Sequence, residues 1–274
     1  MERRAVKSLV WGAVFWSGFL VLGGCKRGSD EGASKAGKPP AGEGAARPGA
    51  DEARFARERE RMVEELIASA SDAPIVDPKV IRALRTVPRH EFVPEEFRDQ
   101  SYLNTPLPIP ESQTISQPYI VALMTQLLAL RGDEKVLEVG TGSGYQAAIL
   151  GELAGEVYTV EIRPALAETA RKKLLELRER GVLQFQKLEV VVGDGSRGHP
   201  PAAPYDAIIV TAAPERVPVE LLNQLKPGGR LVVPVGGDYI QELQLIEKRE
   251  DGSYAEKPIV PVRFVPLVEG GPPR

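Results

Sequence analysis

The nine residues Val136-Leu137-Glu138-Val139-Gly140-Thr141-Gly142-Ser143-Gly144 combine an apolar run, an acid and alternating glycines. The run reads as a buried strand entering a turn, with a helix beginning near Gly144. Where side chains are missing, a ligand can approach the backbone, and the first turn of the helix offers unpaired N–H groups. Dinucleotide folds favour G-x-G-x-x-G, whose helix start cradles a pyrophosphate. Here the pattern is acidic-x-G-x-G-x-G. A carboxylate at Glu138 repels pyrophosphate and suits a cation, such as the amino group of a methionine moiety. The spacing therefore counts against a nicotinamide-dependent oxidoreductase.

Two further acids fall at equivalent places. Glu161 ends the run Val157-Tyr158-Thr159-Val160-Glu161, about 20 residues past the glycine turn, where a carboxylate can accept both ribose hydroxyls. Its plainer reading is a solvated acid at a strand end. Asp194 lies between Gly193 and Gly195 after Val190-Val191-Val192, placed to accept from an adenine amino group. Asp-Gly is also common in ordinary turns. Three acids at three successive strand ends carry more weight together than singly.

The elements that must position them follow from hydrophobic pattern. Apolar runs at Val136–Val139, Val157–Val160, Leu188–Val192, Ala207–Val210 and Leu231–Val235 are short and largely β-branched. Helix-length segments at Pro164–Arg180 and Val219–Leu225 separate several of them, the signature of a Rossmann-like, doubly wound, mostly parallel α/β sheet. Leu243–Ile246 and Val262–Val265, on either side of Asp251-Gly252, predict antiparallel edge strands at the C-terminal end. Ahead of the sheet, residues 51–71 are helix formers with Met62, Val63, Leu66 and Ile67 at helical spacing. Pro78–Thr86 forms a second helix capped by Asp77, and Gln117–Leu130 a third, amphipathic one.

A net charge of -3 gives no electrostatic reason to expect nucleic acid. One cysteine, Cys25, excludes an intrachain disulfide, and two distant histidines, His90 and His199, do not suggest a metal site. The N-terminus differs from the rest. Arg3, Arg4 and Lys7 precede an apolar run from Leu9 to Leu22 and then Gly23-Gly24-Cys25, the anatomy of a secretory signal with a lipobox. An uncleaved membrane anchor is the competing reading, although the run is short for a bilayer span. Residues 26–50, rich in Gly, Ala, Pro, Lys and Ser, read as a flexible tether. The expected organisation is a signal over 1–25, the tether over 26–50 and one domain over 51–274.

Val136 to Ala148, with Glu161 and Gly193-Asp194-Gly195, resembles the cofactor motifs of class I methyltransferases. Five stretches resemble, more narrowly, protein-L-isoaspartate O-methyltransferases: Val87–Pro94, Gln113–Pro118, Gly142–Ala148, Lys226–Gly236 and Val262–Leu267. The similarity runs from about Arg59 to Leu267. It implies S-adenosylmethionine as cofactor, held by Glu138, Gly140, Thr141, Gly142, Gly144, Glu161, Asp194 and Gly195. It implies Ser116 as the active-site serine, with Thr114 and Ile115 lining the same pocket and Gln241 near the cofactor or the substrate peptide. Read on its own, Ser116 also suits a helix cap, and His90 a structural hydrogen-bonder. Ser112 replaces a frequent glycine, and His199 a frequent aromatic residue.

The implied reaction is methyl transfer to the free α-carboxyl of isoaspartyl residues in proteins and peptides, by a monomer. The ester would then close to a succinimide that can reopen to aspartate. Methylation of another acceptor, and an envelope binding protein without turnover, are the alternatives. The resemblance also implies a cytosolic home, whereas the lipobox implies a membrane-anchored, periplasm-facing one.

Overall fold

The computed structural model of the protein describes residues 48–69, 73–237 and 239–271. The signal and all but the last residues of the tether lie outside them. The first helix, α1 (Pro48–Ala68), starts slightly before Asp51 and buries Phe55, Met62, Val63 and Leu66, while Ile67 stays exposed. Helix α2 (Pro78–Thr86) begins as expected, with the Asp77 carboxylate accepting from the Lys79 N–H at 2.8 Å. A two-stranded antiparallel ribbon follows, β1 (Leu107–Ile109) and β2 (Gln113–Ile115). Helix α3 (Pro118–Leu128) then packs against the main sheet.

That sheet contains β3 (Lys135–Val139), β4 (Glu156–Glu161), β5 (Lys187–Val192), β6 (Tyr205–Val210), β7 (Leu225–Gly236), β8 (Gln241–Lys248) and β9 (Tyr254–Val262). Their order is β5-β4-β3-β6-β7-β8-β9. The first five in that order run parallel, and β8 is antiparallel to both its neighbours. Helices α4 (Tyr145–Gly151), α5 (Pro164–Glu179) and α6 (Val219–Gln224) complete the doubly wound α/β layers. Side chains alternate across a strand, so Val136 joins the core beneath α3 and α4 while Leu137 and Val139 join the opposite core with Leu221. Glu138 therefore falls on the α3–α4 side. The chain winds from β3 outward through β4 and β5, then returns to the far side of β3 with β6. Crevices at such reversals are where open α/β sheets bind ligands.

The last hairpin turns at Asp251-Gly252, where Gly252 has φ 83°. Its second strand differs from expectation. It spans Tyr254–Val262 rather than Val262–Val265. A tight turn forces pairing to resume at once, from Lys248 against Tyr254. The strand is the sheet edge, where burial imposes no alternation and Pro258 and Pro261 are tolerated, which masked it in the sequence.

Candidate active site

The C-terminal ends of β3, β4, β5 and β6 open into a pocket of about 880 Å³ that is continuous with solvent. Its floor is the glycine turn. Gly140 has φ 99° and a Cβ there would sit 2.5 Å from Thr211 Oγ1, so only glycine fits. Gly144, at φ 88°, starts α4 in the left-handed region. Thr141 is buried and shares a 2.6 Å hydroxyl contact with Thr159.

The acids differ in what they already hold. Glu161 Oε2 accepts from Gly142 N–H at 2.8 Å and Oε1 from Arg163 N–H at 3.0 Å, locking the carboxylate across two strand-end loops. Glu138 is fully buried, and neither oxygen has a hydrogen-bond partner among the described residues. Burial pushes its pKa up to about 8, with Glu161 adding to the rise and Thr159 opposing it. A buried carboxyl without a donor is costly unless a cationic donor arrives. Asp194 stands differently. Its Oδ1 accepts from the backbone N–H and hydroxyl of Ser196, and its Oδ2 from Gly270 N–H at 2.9 Å. Gly195, not the Asp194 side chain, lines the pocket.

A second groove adjoins the first and shares Thr114, Ser116, Thr211 and Val265 with it. Ile115 is buried and faces the first pocket. Ser116 is half-buried, and its hydroxyl makes no hydrogen bond among the described residues. It does not cap α3: the N-cap is Gln117, which makes no side-chain cap bond. Instead the Ser116 carbonyl accepts from Arg89 Nη2 at 2.7 Å. Gln241 lies apart from both spaces. Its amide donates to Gly237 O and accepts from Phe264 N–H at 2.8 Å, steadying the strand that leads to Val265. It lines a further depression that shares Pro266 and Leu267 with the first pocket.

His90 is a structural hydrogen-bonder, 2.7 Å from the Tyr102 hydroxyl and stacked on Phe55. His199 stacks on Tyr158, doing the work of an aromatic ring. Sequence reasoning missed Thr211, whose hydroxyl donates to Gly140 O at 2.6 Å, and Val265–Val268, which wall the first pocket. The position of Thr211 just past the strand Ala207–Val210 was the available signal.

The same residues carry the comparisons. The sequence matches the profile described as protein-L-isoaspartate(D-aspartate) O-methyltransferase over residues 57–271. The chain belongs to the protein-L-isoaspartate O-methyltransferase family. The curated family member from Methanopyrus kandleri is 51% identical over 221 residues, covering 80% of this chain and 94% of its own length. That from Nitrosospira multiformis is 51% identical over 213 residues, covering 77% of this chain and 87% of its own. Among solved structures, a protein-L-isoaspartate O-methyltransferase superposes with a TM-score of 0.66 at 28% identity, covering 78% of this chain and 66% of that one. A Plasmodium falciparum structure, described as a beta-aspartate methyltransferase in complex with S-adenosyl-L-homocysteine, gives a TM-score of 0.65 at 21% identity, covering 79% of this chain and 99% of that one. At that identity it speaks to the fold alone. Membership explains why the glycine turn, Glu161 and the Ser116 segment converge on one sheet edge.

Proposed function

We propose that the chain transfers the methyl group of S-adenosylmethionine to the free α-carboxylate of L-isoaspartyl residues in damaged proteins and peptides, initiating their repair to aspartyl. The observation that carries this reading is the orphaned Glu138 carboxyl beneath the glycine turn, in one pocket with a free Ser116 hydroxyl that also lines the adjoining groove. Glu138 suits the cofactor's amino group, Glu161 its ribose hydroxyls, and the Gly140–Gly144 turn its close approach, with Asp194 and Gly195 near the adenine. When bound, the cofactor supplies a methyl carbon on a sulfonium. The residues need supply no base, because a peptide carboxylate is already ionised at neutral pH. Their work is alignment and exclusion of water. Ser116 Oγ donates to the incoming carboxylate, and Thr114, Ile115 and Thr211 shape its entry. Paired peptides differing only in isoaspartate or aspartate test the reading: methyl transfer to the isoaspartyl peptide alone is expected. Equal methylation of both would replace it with another class I methyltransferase activity.

We further propose that Cys25 is lipidated, holding the enzyme at a membrane and facing the periplasm. The basic start, the Leu9–Leu22 run, Gly23-Gly24-Cys25 and the Gly/Ala/Pro tether support this. Mass spectrometry of membrane fractions should find an acylated N-terminus at Cys25, and Cys25→Ala should release or mislocalise the protein. An unlipidated start at Met1, or none upstream of Met62, would overturn the lipoprotein reading.

A further inference from the structure

Arg89 is fully buried, yet no carboxylate among the described residues pairs with it. Its Nε donates to Ser101 O at 2.8 Å and its Nη2 to Ser116 O at 2.7 Å. Its Nη1 is buried without a partner. The guanidinium lies 4.9 Å from the ring centroid of Tyr145, a residue of the pocket wall. Burial lowers its pKa to about 10, which leaves it charged at neutral pH.

An isolated buried cation is expensive, and two carbonyls do not neutralise it. Shape alone does not require it, since an apolar side chain of similar volume would fill the space without that penalty. The charge stands directly behind two lining residues, Ser116 and Tyr145. Water screens it little there, and Ser116, which it holds, lines both the pocket and the groove, so its field acts on their junction. The group that must arrive at that junction is an anion.

We propose that Arg89 is a positioning residue for the methyl-accepting carboxylate, acting in two ways through the wall of the site. Its fork fixes the Ser116 carbonyl, and with it the direction of the Ser116 hydroxyl. Its uncompensated charge draws the substrate's carboxylate in preference to neutral analogues. The inference rests on the substrate reading given above and adds the origin of the preference for an ionised acceptor.

The test compares two peptides, one with the isoaspartyl α-carboxylate and one with that group replaced by a carboxamide. Calorimetry measures each against full-length protein saturated with S-adenosylhomocysteine. Wild type should bind the carboxylate peptide about ten-fold more tightly, on the scale of a charge-assisted contact. In Arg89→Met the ratio should fall to about one, and in Arg89→Lys it should largely persist while turnover drops, since the charge remains and the fork is lost. Retained S-adenosylhomocysteine affinity reports that each variant is folded. If Arg89→Met does not fold, Arg89→Gln and the wild-type ratio between low and high salt carry the test: loss of preference in the first and its persistence against salt are both expected. Equal weakening of both peptides would make Arg89 purely structural and overturn the proposal, as would an unchanged ratio. Wild type that binds the carboxylate peptide preferentially but never methylates it would instead overturn the proposed reaction, leaving Arg89 as an anion selector.

Discussion

The cofactor half and the acceptor half of the site are built on opposite principles. The cofactor half is preassembled: Glu138 is buried in its strand, and Glu161 is locked by Gly142 and Arg163. The acceptor half is open. Its groove carries the exposed Tyr239 and Ile240, and its one charged lining residue among those described is Arg263. A cofactor of fixed shape repays rigid complementarity, whereas peptides of many sequences need a groove that fixes only the reacting carboxylate. On the proposed assignment, acidic groups receive the cationic ligand, and a hydroxyl backed by a buried cation faces the anionic one. The halves meet at Ser116.

The comparison breaks most visibly at Glu138. Breaking a buried ionic contact by removing one partner costs about 3–5 kcal/mol, so Glu138→Gln should weaken S-adenosylmethionine binding more than 100-fold, read by calorimetry. The same change should act oppositely on the ligand-free fold. The Glu138 carboxyl has a folded pKa of about 8 against 4.5 for the free side chain. Stability is therefore fullest below pH 4.5 and is lost as pH rises through 8. Ligand-free Glu138→Gln should melt higher than wild type at pH 9 and about equally at pH 5. Binding of the cofactor at pH 7 should release close to one proton, measurable in buffers of different ionisation enthalpy. No release would mean that Glu138 is not the ammonium's partner.

Next in size, Glu161→Ala should cost about 1.5–3 kcal/mol of cofactor affinity, the worth of charged hydrogen bonds. Ser116→Ala sharpens the division, because it should lower turnover on isoaspartyl peptide about 10-fold, or about 1.4 kcal/mol of barrier, with cofactor affinity nearly unchanged. A large loss of cofactor affinity in Ser116→Ala would erase the distinction between the halves. The smallest effect concerns the ribbon that carries Thr114. Its turn places Glu111 and Ser112 at φ 60° and 55°, a left-handed pair that costs side-chain-bearing residues about 1–2 kcal/mol each. Ser112→Gly should therefore raise thermal stability by up to about 1 kcal/mol, offset by glycine's own entropy, with KM for peptide affected more than KM for cofactor.

Much of the cofactor half was legible because its signals are local. Val136–Gly144 carries strand, acid and turn within nine residues, and Val157–Glu161 ends on its carboxylate. Parallel strands buried on both faces write themselves as apolar runs. The acceptor half depends on contacts far apart in sequence. Arg89 reaches Ser116 across 27 positions, and Val265–Val268 close a pocket whose floor lies at residue 140. No periodicity records such contacts. Asp194 is legible from its spacing as a strand-end acid, but not in its contacts: its carboxylate accepts from Ser196 and from Gly270, 76 positions away. The edge strand was misplaced because solvent, not a core, faces Glu256 and Lys257.

The prolines of β9 bear on solubility. A protein that handles damaged, extended polypeptides works among partners eager to add themselves to any free sheet edge. Pro258 and Pro261 have no N–H to donate, and Glu256 and Lys257 add charge beside them. Such an edge is a poor template for another strand. Replacing both prolines would complete the row of donors and turn the flank of the enzyme into a seed for aggregation with the very chains it repairs.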